Sequence, residues 1–151
     1  MSTDRIEKQI ELKASPARVW RALTDHCEFG QWFRVKLAEP FAPGRTVRGQ
    51  ITYPGYEHIV FEATVDQMRE EALFSFRWHP AAVDPAVDYS SEPHTLVEFR
   101  LEPAAGGTRL TVTESGFDRL PPDRRQEAFR MNEGGWETQA KNIEAHVGAT
   151  P

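Results

Sequence analysis

The sequence predicts an α+β chain: a curved antiparallel sheet wrapped around one long C-terminal helix, with two short helices after the first strand. Three observations predict it. Strand-type alternation at the start gives way at once to helix signals. A middle stretch of period two is punctuated by glycine and proline. The end returns to an apolar stripe of helical period.

Arg5 to Leu12 alternates, with Ile6, Ile10 and Leu12 on one face, and reads as the first strand. In "ASPARVWRALTD", Ser15 can cap a helix and Pro16 takes its first position, where a missing N–H costs nothing. A second short helix or turn is expected from Glu28 to Phe33. Strands are then expected at Val47–Tyr53, Ile59–Val65, Leu73–Trp78, Thr95–Leu101 and Arg109–Thr113, separated by "YPGY", "EPAAGG" and the long "HPAAVDPAVDYSSEP" connection. "PPDRRQEAF" opens the last helix, on which Phe129, Trp136 and Ile143 recur every seven residues, joined by Ala140 and Val147. A sheet with one apolar face needs a cover, and this helix can supply it.

The chain has 151 residues, 39% hydrophobic and 27% charged, a composition suited to a single globular domain over 1–151 with its core in 5–147. A net charge of −5 without a basic block argues against nucleic acid as a partner. No apolar run approaches the roughly 20 residues of a membrane span. The charged start MSTDRIEKQIELK lacks a signal-peptide core, and one cysteine, Cys27, cannot form an internal disulfide, so a cytoplasmic location is expected.

The segments "IELKASPARVWRALTD", "FGQWF", "FSFRW", "RLTVTESGF" and the closing "GGW" helix resemble, in that order, the START-like (SRPBCC) superfamily. Within it they look like bacterial homologues of the heat-shock-protein-90 ATPase activator's C-terminal domain. The resemblance runs from about Arg5 to Val147 and implies a helix-grip fold with an internal cavity between sheet and long helix. That superfamily includes lipid carriers, receptors and cyclases, so the fold leaves the function open.

Strand parity nominates the cavity walls: Trp32 and Phe33 from the second helix, Tyr53, Phe61, Phe76, Trp78 and Phe99 from the strands, and Phe129, Asn132 and Trp136 from the long helix. Glu114 follows Leu110 and Val112 on the inward face, where an unpaired carboxyl would be costly. Lys8 has inward parity on the first strand, and in the resembling fold first and last strands are neighbours. Lys8 and Glu114 are therefore expected to approach each other. Gly134 and Gly135, adjacent inside the last helix, each cost about 1 kcal/mol against alanine. Close approach of the helix backbone to a neighbour is the expected reason.

Signatures of nucleophile elbows, phosphate loops and zinc helices are absent from the sequence, and its five histidines show no metal-ligand spacing. Neither metal nor cofactor is expected. His26 and Cys27 are neighbours, about 100° apart on a helix, which by spacing alone makes no nucleophile–base pair. His58 and Glu62 fall on the outer, solvated face. A flavin or iron–sulfur reductase, a label sometimes attached to such relatives, needs four cysteines for its cluster and finds one.

Three functions fit, in this order. The first is a binding module, carrier or sensor, for a hydrophobic small molecule that is lipid-like or aromatic, with Glu114 as polar anchor. The second is a cofactor-free enzyme, cyclase-like or hydrolase-like, using Glu114 or His79 as acid or base. The third is a chaperone-interacting or stress-response protein whose partner is a chaperone ATPase, as the resemblance implies. The eukaryotic activators also carry a separate N-terminal chaperone-binding domain, for which 151 residues leave no room.

Overall fold

A computed structural model describes residues 5–80 and 86–149. The chain begins with β1 (Arg5–Leu12), followed by α1 (Pro16–Thr24) and α2 (His26–Phe33). Ser15 Oγ accepts from the Arg18 N–H at 3.2 Å, with Pro16 in the first turn of α1. Asp25 does the same for α2, its Oδ1 accepting from Cys27 N–H at 2.9 Å and Glu28 N–H at 3.1 Å. These local caps stop and restart the helix within two residues.

Six strands follow: β2 (Val35–Leu37), β3 (Thr46–Ile51), β4 (Val60–Arg69), β5 (Leu73–Trp78), β6 (Thr95–Ala104) and β7 (Gly107–Ser115). A 3-10 turn at Phe117–Arg119 leads into α3 (Pro122–Ala149). The seven strands form one sheet in the order β1-β7-β6-β5-β4-β3-β2, with antiparallel neighbours throughout. This is the helix-grip arrangement. The expected strands are present with shifted ends, and β2 is an addition, three residues being too short for a period-two signal. A bulge between Val65 and Gln67 lies within the β4–β5 ladder.

Inward side chains of the sheet meet α2 and α3 in one aromatic core. Phe29, Phe74, Phe76, Phe99 and Phe117 are fully buried. On α3 the buried stripe is Ala128, Trp136, Ile143 and Val147, with Phe129 partly covered against the Phe117 ring. Gln139 Nε2 donates to the Phe33 carbonyl at 3.2 Å, tying α3 to the end of α2. Glu28 joins all three helices, accepting from Arg18 at 2.8 Å and Arg21 at 2.8 Å and meeting His146 at 2.9 Å. Among the described residues no helix is long and apolar enough to cross a membrane.

The glycine pair corrects an expectation. A Cβ added at Gly134 or Gly135 would meet nothing within 4 Å, and both residues are exposed. Close packing does not explain them. The close approaches lie elsewhere: a Cβ on Gly30 would strike the Val35 carbonyl, and one on Gly107 the Leu12 carbonyl.

Candidate functional site

Glu114 is the centre of the interior, 0% exposed near the end of β7. Sheet parity and one helical turn bring its partners together. Val97 stands opposite Glu114 in the β6–β7 ladder, and Thr95, two residues earlier, shares that face. Trp78 stands opposite Thr95 in the β5–β6 ladder. From α3, Asn132 and Trp136 reach in together, four residues apart.

Each carboxyl oxygen is met by donors. Oε1 accepts from Trp136 Nε1 at 2.8 Å and Asn132 Nδ2 at 2.9 Å. Oε2 accepts from Trp78 Nε1 at 2.8 Å, Thr95 Oγ1 at 2.5 Å and Asn132 Nδ2 at 3.1 Å. All four residues are neutral. Indole N–H and amide NH2 can only donate, so both oxygens act as acceptors.

Rings close around this group. Trp78 and Trp136 stack with centroids 5.8 Å apart and an interplanar angle of 30°. Phe99 meets Trp136 edge-on at 5.7 Å, Phe61 meets Trp78 at 5.9 Å, and Phe33 touches both indoles at 6.1 and 6.3 Å. A hollow of about 10 Å³ between the sheet and α3 is lined by Trp32, Phe99, Leu110, Val112, Trp136, Gln139, Ala140 and Ile143. That is room for about one water. Of the expected wall residues, Trp32, Phe99 and Trp136 border the hollow.

Lys8 does not pair with Glu114. The β1–β7 register sets Ile6 opposite Glu114 and Lys8 opposite Val112, and no ion pair joins Lys8 to Glu114 among the described residues. Lys8 instead lines a shallow outer groove of about 290 Å³ with Glu137, Lys141 and Glu144 of α3. Its parity is inward, but β1 is the sheet's edge and its long stem reaches water there.

The other expected wall residues divide cleanly. Trp32, Phe33, Phe61, Phe76, Phe99 and Trp136 are buried, while Trp78 and Asn132 are partly buried against Glu114. Phe129 lies one turn before Asn132, its ring edge-on to that of Phe117 at 5.3 Å. Tyr53 is outside: β3 ends at Ile51, and the ring is 45% exposed, packed on Tyr56 at 5.7 Å with the Arg34 guanidinium 6.0 Å from its centre. Thr95 was missed, although its spacing from Val97 and Phe99 was a usable signal.

His79 stacks on His94 at 4.1 Å, just past the Trp78–Thr95 pair, and its Nε2 is buried without a hydrogen-bond partner among the described residues. Burial, then the charge of His94, holds its pKa below 6.5, with Glu92 and Glu62 pulling the other way. Beside it Arg124 grips Glu92 at 3.1 Å, donates to the Pro80 carbonyl at 2.8 Å and lies 4.8 Å over the Tyr89 ring. Part of the connection expected to cover an opening, 81–85, lies outside the described residues.

His26 Nε2 approaches Cys27 Sγ at 3.7 Å, so these neighbours do meet. With Asp25 they place three metal-type donor atoms within 4.8 Å of one another at the surface. Asp25 already caps α2.

The family model described as activator of Hsp90 ATPase homolog 1-like protein matches residues 13–148. The chain belongs to that family. Among solved structures, this family member is similar to protein MLL2253 from Mesorhizobium loti, 24% identical over 97% of this chain and 98% of that one, TM-score 0.77. It is also similar to DynU16, from the dynemicin biosynthetic locus, 23% identical with TM-score 0.73, covering 96% of this chain and 47% of that one. The Aha1 dimer from Colwellia psychrerythraea is 15% identical, with 95% of each chain covered and TM-score 0.69. At these identities the likeness establishes the fold. Comparison with curated proteins gave no match.

Proposed function

We propose that this chain is a small-molecule-binding module, a carrier or sensor, whose hydrophobic ligand lodges between the sheet and α3 with Glu114 as its polar anchor. The observation that carries this reading is a fully buried carboxyl held by Trp78, Thr95, Asn132 and Trp136 inside an aromatic box. A core built only for stability gains little from such a group. Removing a carboxyl from water is costly, and an apolar residue of similar volume avoids that cost. The packing described above is the closed form, in which the protein's own indoles stand where a ligand would.

Native mass spectrometry of the purified chain, with thermal denaturation against a panel of hydrophobic compounds, tests the proposal. A reproducible added mass, lost on Trp136→Ala, supports it. So does a compound that raises Tm, because a ligand at about 100 Kd adds about 2.7 kcal/mol to stability. A bare mass together with an unmoved Tm across the panel overturns it.

A second reading rests on a different surface. Tyr53, Tyr56 and Val60 are 45%, 51% and 65% exposed, beside Arg34, and Tyr with Arg is the composition of protein-binding hot spots. The family description and the dimeric Aha1 relative support a protein partner, a chaperone ATPase first among them, and its place on this surface rests on the exposed tyrosines alone. Calorimetric titration of such an ATPase with wild type and with Tyr53→Ser/Tyr56→Ser checks it. Equal affinities for the two would remove this surface from the interaction.

A further inference from the structure

We infer that Asp25, His26 and Cys27 form a binding site for a divalent cation of the zinc type, held by a carboxylate, an imidazole and a thiolate at the start of α2. The site shares no residue with the Glu114 interior and goes beyond the small-molecule reading.

The first ground is the donor set. Among the described residues this is the group in which three metal-type donors come together, all within 4.8 Å of one another. One is sulfur, one nitrogen and one oxygen. Magnesium and calcium take oxygen ligands, whereas thiolate and imidazole together suit zinc and its neighbours. A thiolate and a carboxylate also balance the two charges of the ion.

The second ground is spacing. His26 Nε2 and Cys27 Sγ are 3.7 Å apart. A tetrahedral zinc with nitrogen at about 2.0 Å and sulfur at about 2.3 Å sets those two atoms about 3.5 Å apart. The pair already stands close to that edge length. No two of the three donors exceed 4.8 Å, so the remaining adjustment is one of side-chain torsions.

The third ground is fixation. Asp25 Oδ1 accepts from the Cys27 N–H at 2.9 Å and the Glu28 N–H at 3.1 Å, which orients the carboxylate. Its Oδ2 has no hydrogen bond among the described residues and is left for an ion. Supporting hydrogen bonds of this kind hold metal-ligating carboxylates in place. His26 and Cys27 are the first two residues of α2, so their backbones are set by the helix before any ion arrives. The two arginines of α1, Arg18 and Arg21, are paired with Glu28.

Asp25 and Cys27 are exposed and His26 is half-buried, so an ion reaches the donors from solvent. A fourth position then remains for water or for a donor from a partner. As the metal–sulfur bond forms, the Cys27 thiol gives its proton to the solvent, and no electron is transferred.

The test uses the whole chain without a purification tag, kept reduced with a phosphine. Zinc is titrated by calorimetry and cobalt(II) by absorption spectroscopy. A single ion per chain is expected, with a thiolate-to-cobalt charge-transfer band and release of about one proton, read from the dependence of the heat on the buffer. Cys27→Ser, His26→Gln and Asp25→Asn should each weaken zinc by about tenfold or more, the loss that removing even a supporting group brings. Cys27 is exposed, and asparagine caps a helix about as well as aspartate, so α2 stays formed in these variants. The wild-type cobalt spectrum decides without any variant, because bound cobalt lacking the thiolate band overturns the inference. Absence of zinc binding overturns it too. So does zinc binding that any one of the three substitutions leaves unchanged, or magnesium bound as tightly as zinc.

Discussion

The indoles of Trp78 and Trp136 stack 5.8 Å apart and donate to different oxygens of one buried side chain, Glu114. One indole belongs to the sheet and the other to the long helix, so the carboxyl fastens the two layers together. Its own position on β7 makes it the fixed member of the arrangement.

Removing one of these donors should be felt as lost stability. Trp136→Phe keeps a ring in place but deletes the N–H that reaches Oε1 and leaves a gap. A hydrogen bond to a charged or strongly polar partner contributes about 1.5–3 kcal/mol, and the lost volume adds to that. Urea unfolding should show a lower midpoint by about that amount. An unchanged midpoint would mean that the indole does not hold Glu114.

The glycine pair gives the opposite sign. Gly134→Ala and Gly135→Ala add a methyl group into open space and remove a helix penalty, so each should stabilise by about 1 kcal/mol. Gly30→Ala supplies the contrast, because its Cβ would strike the Val35 carbonyl and the variant should lose stability. Thermal unfolding of the three variants checks both signs. A destabilised Gly134→Ala would show that α3 packs against something at this point.

Much of the fold was readable because its signals are local. Ser15 and Pro16 mark a helix start, and Phe74, Phe76 and Trp78 alternate within one strand. Glu114's inward parity belongs to the same class of signal, and so does the one-turn spacing of Asn132 and Trp136. What failed depends on pairing between distant segments. Parity puts Lys8 and Ile6 on the same face, but only the ladder register decides that Ile6 sits opposite Glu114. Tyr53 continued the β3 alternation on paper, yet the strand stops at Ile51 and the ring turns to solvent. Whether aromatics surround a space or fill it is a matter of packing volume, which alternation does not encode. The Glu28 contact with His146 links residues 118 apart, and no spacing rule anticipates it.

That contact carries a prediction at acid pH. Burial alone would raise the Glu28 pKa, but hydrogen bonds from His146, Arg18 and Arg21 and the charge of Arg18 outweigh it and hold the carboxyl below 4.5. The folded state therefore keeps Glu28 ionised where the unfolded chain takes up a proton. The stability this supplies is complete above pH 4.5 and is lost as the pH falls through the lower folded value. Glu28→Gln should unfold more easily near neutral pH and show a flatter decline on acidification. If its profile runs parallel to that of wild type down to about pH 3, Glu28 is not the group responsible.

His79 predicts a separate, higher window. Its ring is held below the ordinary 6.5 by burial first, then by the neighbouring His94 and by Arg124, against the opposing pull of Glu92 and Glu62. In the unfolded chain the same ring charges near 6.5, so between that value and the lower folded one the unfolded state binds more protons. Stability should be full above pH 6.5, decline as the pH drops below it, and level off once folded His79 also protonates. Urea midpoints measured from about pH 7.5 to about pH 5 should therefore slope downward in wild type and run flatter in His79→Phe, which keeps the stacking plane against His94. The His79 decline begins at the higher pH, from about 6.5 against 4.5 for Glu28, so His79→Phe should alter the curve first as the pH falls. A slope between these limits that survives His79→Phe would assign the titration to another histidine.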